Sequence, residues 1–173
     1  MLFKDVIGQQ GVKTSLREMV QHNRLSHALL FLGKEGSGAL PLAIAFANYI
    51  SLSSGIRAGA EDNGLFSQSA GSESEDTRLT NTDPDVITTA HPSYPKVKSM
   101  VHPDIHFSYP VIPMKAGQPP ISTDYINEWR EFIAQYPYGS AYDWLQFIGA
   151  DNKQGNITAQ ECNDIIRKLN LKS

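Results

Sequence analysis

The chain has very little cysteine: Cys162 is the one thiol in 173 residues. A lone thiol excludes an internal disulfide and fits a reducing cytoplasm. Long apolar runs are lacking too. None approaches the roughly 20 residues that cross a bilayer, and the opening residues, with Lys4, Asp5 and Gln9, carry no signal-peptide apolar core. No membrane partner is expected. Positive charge is also scarce. The formal net charge of −3 excludes the basic footprint of a protein that grips nucleic acid unaided. Any work on DNA therefore runs through partners.

What is present suits a globular core, with 40% hydrophobic and 9% aromatic residues. The length allows one domain, or a domain and part of a second. The organising stretch runs from His27 to Leu40. His27 to Leu32 reads as a buried parallel strand, with His27 a structural histidine at its start. Gly33, Gly36 and Gly38 make a glycine-rich turn, and Pro41 to Ile50 reads as a helix buried on nearly every side. Strand, glycine turn and helix are the parts of a phosphate-binding loop, in which backbone N–H groups and a helix N-terminus face an anion. A complete loop reads G-x-x-x-x-G-K-[ST], where the Lys reaches the outer phosphates and the hydroxyl holds magnesium. Gly33 and Gly38 have that spacing, but Ala39 and Leu40 stand in the Lys and hydroxyl positions.

The loop thus keeps its shape and lacks its chemistry. Gly33, Gly36 and Gly38 are the candidate cofactor-binding residues, expected to hold ATP or phosphate only weakly through backbone amides. No catalytic residue is expected, because phosphoryl transfer depends on cationic and metal stabilisation of the phosphates. No metal site is expected either. His102, Asp104 and His106 form an H-x-D-x-H pattern, but Pro103 interrupts it and a structural role at a strand start is favoured. His91 alone cannot supply the roughly four ligands that zinc requires.

Elsewhere, Val12, Leu16, Met19 and Val20 have the stripe of an amphipathic helix, and Phe3, Val6 and Ile7 read as core residues. Residues 51–98 are rich in Ser, Gly and Pro and read as a long insertion, with a short helix around Ala58 to Gln68. Val101 to Val111 reads as a second strand, in which Ile105, Phe107 and Tyr109 alternate with polar residues. Three helices follow. Thr123 is expected to cap the first, with the stripe Ile126, Trp129, Phe132, Ile133 and Tyr136; Ser140 starts the second, which carries Trp144 and ends near Gly149. Thr158 and Glu161 have capping-box spacing for the third. Helical spacing and scarce Lys and Arg make the aromatics core residues rather than a base-stacking platform.

Phe3-Lys4-Asp5-Val6-Ile7-Gly8-Gln9 and Arg24-Leu25-Ser26-His27-Ala28-Leu29-Leu30-Phe31-Leu32-Gly33 closely resemble the start of bacterial clamp-loader subunits. These are AAA+ proteins of the DNA polymerase III holoenzyme that place the sliding clamp on primed DNA. The resemblance reappears at His102 to Phe107 and weakly from Ile157 to Leu169. Ala39 and Leu40 look like the delta-prime class, which often lacks the Lys-Thr pair. The resemblance implies an α/β fold, a P-loop NTPase (AAA+) type parallel sheet with flanking helices, incomplete on its C-terminal side. Residues 1–173 would be the N-terminal part of such a domain, with the insertion at about 51–98 and without lid or collar. Many members carry a four-cysteine zinc module in that insertion; here His91 and Tyr94 stand where its last pair would fall. The implied function is that of a non-hydrolysing clamp-loader subunit in the cytoplasm. The implied partners are the clamp-loader ATPase subunits and delta subunit, with the sliding clamp met indirectly and DNA only through the complex. A fragment with unpaired strand edges is expected either to pair its two strands directly or to self-associate through them. The alternatives are an active but divergent P-loop ATPase, and a non-enzymatic scaffold outside replication.

Overall fold

Leu16 and Val20, four residues apart, lie on one side of a helix and are both buried in α1 (Gln10–Gln21). α1 is the first long element of a computed structural model that describes residues 1–61, 82–115 and 117–169, the side chains of 54–61 and of Leu169 apart. The chain falls into two units, Met1–Gly33 with Gly38–Ile105, and Lys34–Ser37 with His106–Ser173.

In the first unit a short 3₁₀ turn (Phe3–Asp5) precedes α1. α2 (Ala39–Glu61) is apolar on most sides, and Leu42, Ala45, Phe46, Tyr49 and Leu52 are buried along it. α3 (Pro84–Ala90) begins with a proline in its first turn and is capped by Asp83, whose side chain accepts the Asp85 N–H at 2.9 Å. α4 (Tyr94–Lys98) follows. Phe3, Val6, Leu16, Val20, Phe46 and Ile87 pack into one core, and the half-buried Phe31 leans on it with its ring 6.2 Å from that of Phe46. The described residues between 51 and 98 carry the end of α2 and two short helices, while the part of the expected Ala58 to Gln68 helix beyond Glu61 lies outside the described residues.

The second unit has a 3₁₀ turn (Ser122–Tyr125) followed by α5 (Ile126–Gln135), α6 (Ala141–Phe147) and α7 (Ala159–Leu169). Trp144 is its centre. The rings of Tyr109, Trp129 and Phe132 stand 5.0, 5.1 and 5.4 Å from it, and its indole N–H donates to the Pro110 carbonyl at 2.7 Å. The aromatics thus form a core, as their spacing predicts. The Tyr109 hydroxyl donates to the Ser122 carbonyl at 2.8 Å, and burial, with the Glu161 charge second, pushes its ionisation well above the ordinary value. Ser140 caps α6 in a capping box with Asp143, and Gly149 closes it at φ +70°. Thr123 caps nothing. It lies inside the 3₁₀ turn, and α5 starts behind Tyr125 with no side-chain cap.

The expected parallel sheet is absent. Among the described residues there is no β-strand, and the fold is mainly helical; one isolated antiparallel bridge joins Val111 and Asn156. The α/β P-loop expectation for this chain is therefore overturned. The reason is pairing. A strand exists only where a neighbour takes its N–H and C=O groups, and no described backbone bond engages His27 to Leu32. A buried parallel strand would also be covered on both faces, whereas Leu30 and Leu32 are 86% and 88% exposed. Val101 to Val111 likewise has no ladder: a turn at Pro103 and Asp104, in which the Ile105 N–H donates to the His102 carbonyl at 3.2 Å, interrupts its start, and only the bridge at Val111 pairs its end.

Candidate functional site

Of the three candidate glycines, Gly33 and Gly38 belong to the first unit and Gly36 to the second. Lys34 to Ser37 closes a turn in which the Ser37 N–H donates to the Lys34 carbonyl at 3.0 Å. Gly36 there has φ +72°, and Gly38 has φ +91°, a region that side chains other than glycine rarely adopt. The Gly38 carbonyl accepts the Leu42 N–H at 3.1 Å and starts the ladder of α2. The amides of Ala39 and Leu40 fall in the first turn, where helix N–H groups have no partner within the helix. Neither side chain supplies a cation or a hydroxyl, and Pro41 has no N–H to give.

The H-x-D-x-H residues are divided as well. His102 and Asp104 lie in the first unit and His106 begins the second. The Asp104 N–H points at His102 Nδ1, 3.3 Å away, which makes that nitrogen an acceptor. The 3.9 Å approach of the Asp104 carboxylate to the same atom is too long for a hydrogen bond. Among the described residues no group of three His, Cys, Asp or Glu side chains is placed to hold a metal ion. Cys162 is exposed on α7.

A feature that the sequence does not announce lies in the first unit. A cavity of about 370 Å³ opens between the 3₁₀ turn, α1 and the start of α3, and Lys4, Lys13, Thr14, Arg17, Asp83 and Asp85 line it. Both Asp85 oxygens are occupied, by the N–H of Phe3 at 2.8 Å and that of Lys4 at 2.8 Å. Asp83 spends one oxygen on the α3 cap. The Lys13 ammonium donates to the Val6 carbonyl. Arg17 Nε is shielded from solvent and has no acceptor. The available signal was Lys13 and Arg17 four apart on α1, which puts both cations on one helix face. Asp83-Pro84-Asp85 falls in the stretch 51–98 that reads as an insertion, and nothing local in it foretold contact with residues 3 and 4.

Over 56 residues the chain is 39% identical to DNA polymerase III subunit tau/gamma of Haemophilus influenzae. That match takes in 32% of this chain and spans only 8% of the length of that relative. No family model matches the chain, and no solved structure matches it. The chain is thus similar, over about a third of its length, to a DNA polymerase III subunit. Among the described residues, no helix is long and apolar enough to cross a membrane.

Proposed function

We propose that this chain is a clamp-loader-related subunit that works inside a DNA polymerase III complex without hydrolysing ATP. The 56-residue match to a tau/gamma subunit carries the reading. The delta-prime class is the finer form of the proposal. It draws support from Ala39 and Leu40, which leave the outer phosphates and magnesium without the groups that phosphoryl transfer needs. In this reading Gly33, Gly36 and Gly38 retain at best a weak hold on phosphate through backbone amides. The partners are clamp-loader ATPase subunits and a delta subunit. The sliding clamp is met through them, DNA is reached only within the assembly, and the work takes place in the cytoplasm.

The test is reconstitution. The full chain is mixed with purified tau/gamma and delta subunits from the same cell and passed over a sizing column. Co-elution in a defined ratio, with no ATP hydrolysis by this chain alone, is the expected result. Separate elution of all three overturns the reading, and hydrolysis by the isolated chain overturns its non-catalytic part.

A further inference from the structure

We propose that the cavity between the 3₁₀ turn, α1 and α3 is a binding site for a phosphate-class anion, held by Lys4, Lys13 and Arg17 with the Thr14 hydroxyl beside them. The charge arrangement favours it. Three cationic side chains face two carboxylates, and the carboxylates are turned to other work. Asp85 gives both oxygens to backbone amides, and Asp83 gives one to the α3 cap. The ion pairs among the described residues include none of the three cations.

Arg17 is the decisive residue. A charged donor taken out of water without an acceptor is costly, and Arg17 Nε is in that position. A bound anion removes the cost by accepting from the guanidinium, whose planar fork matches phosphate oxygens. Lys13 spends one N–H on the Val6 carbonyl, which leaves two of its three donors for a ligand. Lys4 extends from the 3₁₀ turn, and no described hydrogen bond or ion pair engages its ammonium. The volume of about 370 Å³ lies within the range of small-ligand pockets and admits phosphate or pyrophosphate with water. The free oxygen of Asp83 opposes an anion. It gives the proposal a signature of unusual sign, since neutralising that residue should tighten binding. The site owes nothing to the glycine loop and stands or falls separately from assembly with polymerase subunits.

The experiment titrates inorganic pyrophosphate into the full chain by calorimetry at low salt, alongside Arg17→Gln, Lys4→Gln and Asp83→Asn. Asn keeps the capping oxygen of Asp83, and Lys4 is exposed, so these two variants remain informative even if Arg17→Gln disturbs folding. Binding by the natural chain is expected, weakened tenfold or more by Arg17→Gln, several-fold by Lys4→Gln, and tightened several-fold by Asp83→Asn. A short single-stranded oligonucleotide in place of pyrophosphate separates the sources. If it binds with the same variant pattern and is displaced by pyrophosphate, the anion is a nucleic-acid backbone phosphate; if it fails to bind, the anion is a free phosphate compound. No pyrophosphate binding by the natural chain, or equal affinity in Lys4→Gln and Asp83→Asn, overturns the proposal.

Discussion

The Asp85 carboxylate accepts the backbone N–H of Phe3 at 2.8 Å, across a sequence separation of 82 residues. Its other oxygen takes the Lys4 N–H at 2.8 Å, so one buried acid serves two amides of the 3₁₀ turn. Near by, the Asn48 side chain donates to the Met1 carbonyl at 2.9 Å. The opening residues are thus fastened through their backbone as well as through Phe3 and Val6 in the core.

Asp85→Asn removes the charge and turns an NH₂ toward an N–H that needs an acceptor. Charge-assisted hydrogen bonds contribute about 1.5–3 kcal/mol each, so a loss of about 2 kcal/mol is expected. Urea unfolding followed by circular dichroism measures it, with the slope unchanged. An unaltered midpoint would show that water replaces the carboxylate at no cost.

Glu161 leaves the capping of its helix to Thr158. Its backbone N–H donates to the Thr158 hydroxyl oxygen at 3.2 Å, as half of a capping box requires. Its carboxylate turns away to accept the Ser122 N–H at 2.7 Å and the Ser122 hydroxyl. Glu161→Gln keeps a single acceptor oxygen for two donors and should cost about 1–3 kcal/mol, whereas an exposed capping-box Glu would cost far less. Ser122→Ala, which deletes only the hydroxyl, should cost less than Glu161→Gln in the same unfolding measurement.

Acid stability should carry the mark of Asp164. Lys168 Nζ and Arg167 sit 2.6 Å from its two oxygens, and the Lys168 contact first, then Arg167, holds its carboxyl below the ordinary value of 3.8. A depressed native pKa stabilises the fold when the group is ionised. That contribution is complete above 3.8 and fades as pH falls through the lower native value. The difference in unfolding midpoint between the natural chain and Asp164→Asn should therefore narrow as pH is lowered from 5 toward 2. A constant difference would mean that the ion pairs add nothing.

Two glycines in the second unit should separate steric from conformational cost. A Cβ on Gly139 would lie 2.5 Å from Cζ of the buried Phe132 ring, so Gly139→Ala forces the core apart and should cost about 1–3 kcal/mol. Gly149 has open space around it but φ +70°, so Gly149→Ala meets only backbone strain of about 1 kcal/mol. Gly149→Asn should recover part of that loss, because Asn tolerates the left-handed region. Gly139→Asn should recover nothing.

The helices were legible because their evidence is local. Leu16 and Val20, Trp129 with Phe132 and Ile133, and Ser140 with Asp143 each lie within one turn of one another. The sheet was misread because a strand is a statement about neighbours. His27 to Leu32 has the apolar run of a buried strand, yet no described residue pairs with it. Thr123 misled for a related reason: it has the right chemistry for a cap, but the helix begins at Ile126, three residues later. The cavity around Arg17 showed only the Lys13–Arg17 spacing, because it is assembled from residues 3–17 and 83–85, a meeting that no local pattern encodes.

The unpaired backbone from His27 to Leu32 also sets a timescale. Between His27 and Leu32 no described backbone bond shields an amide, so deuterium should replace those protons at nearly the speed of an open chain. From Leu42 to Tyr49 the amides lie in the buried part of α2 and should exchange only when the first unit opens as a whole. Two clocks thus run side by side within some twenty residues: the slow one reads the stability of the core, and the fast one reads a backbone that touches that core through the Phe31 ring without being bonded into it.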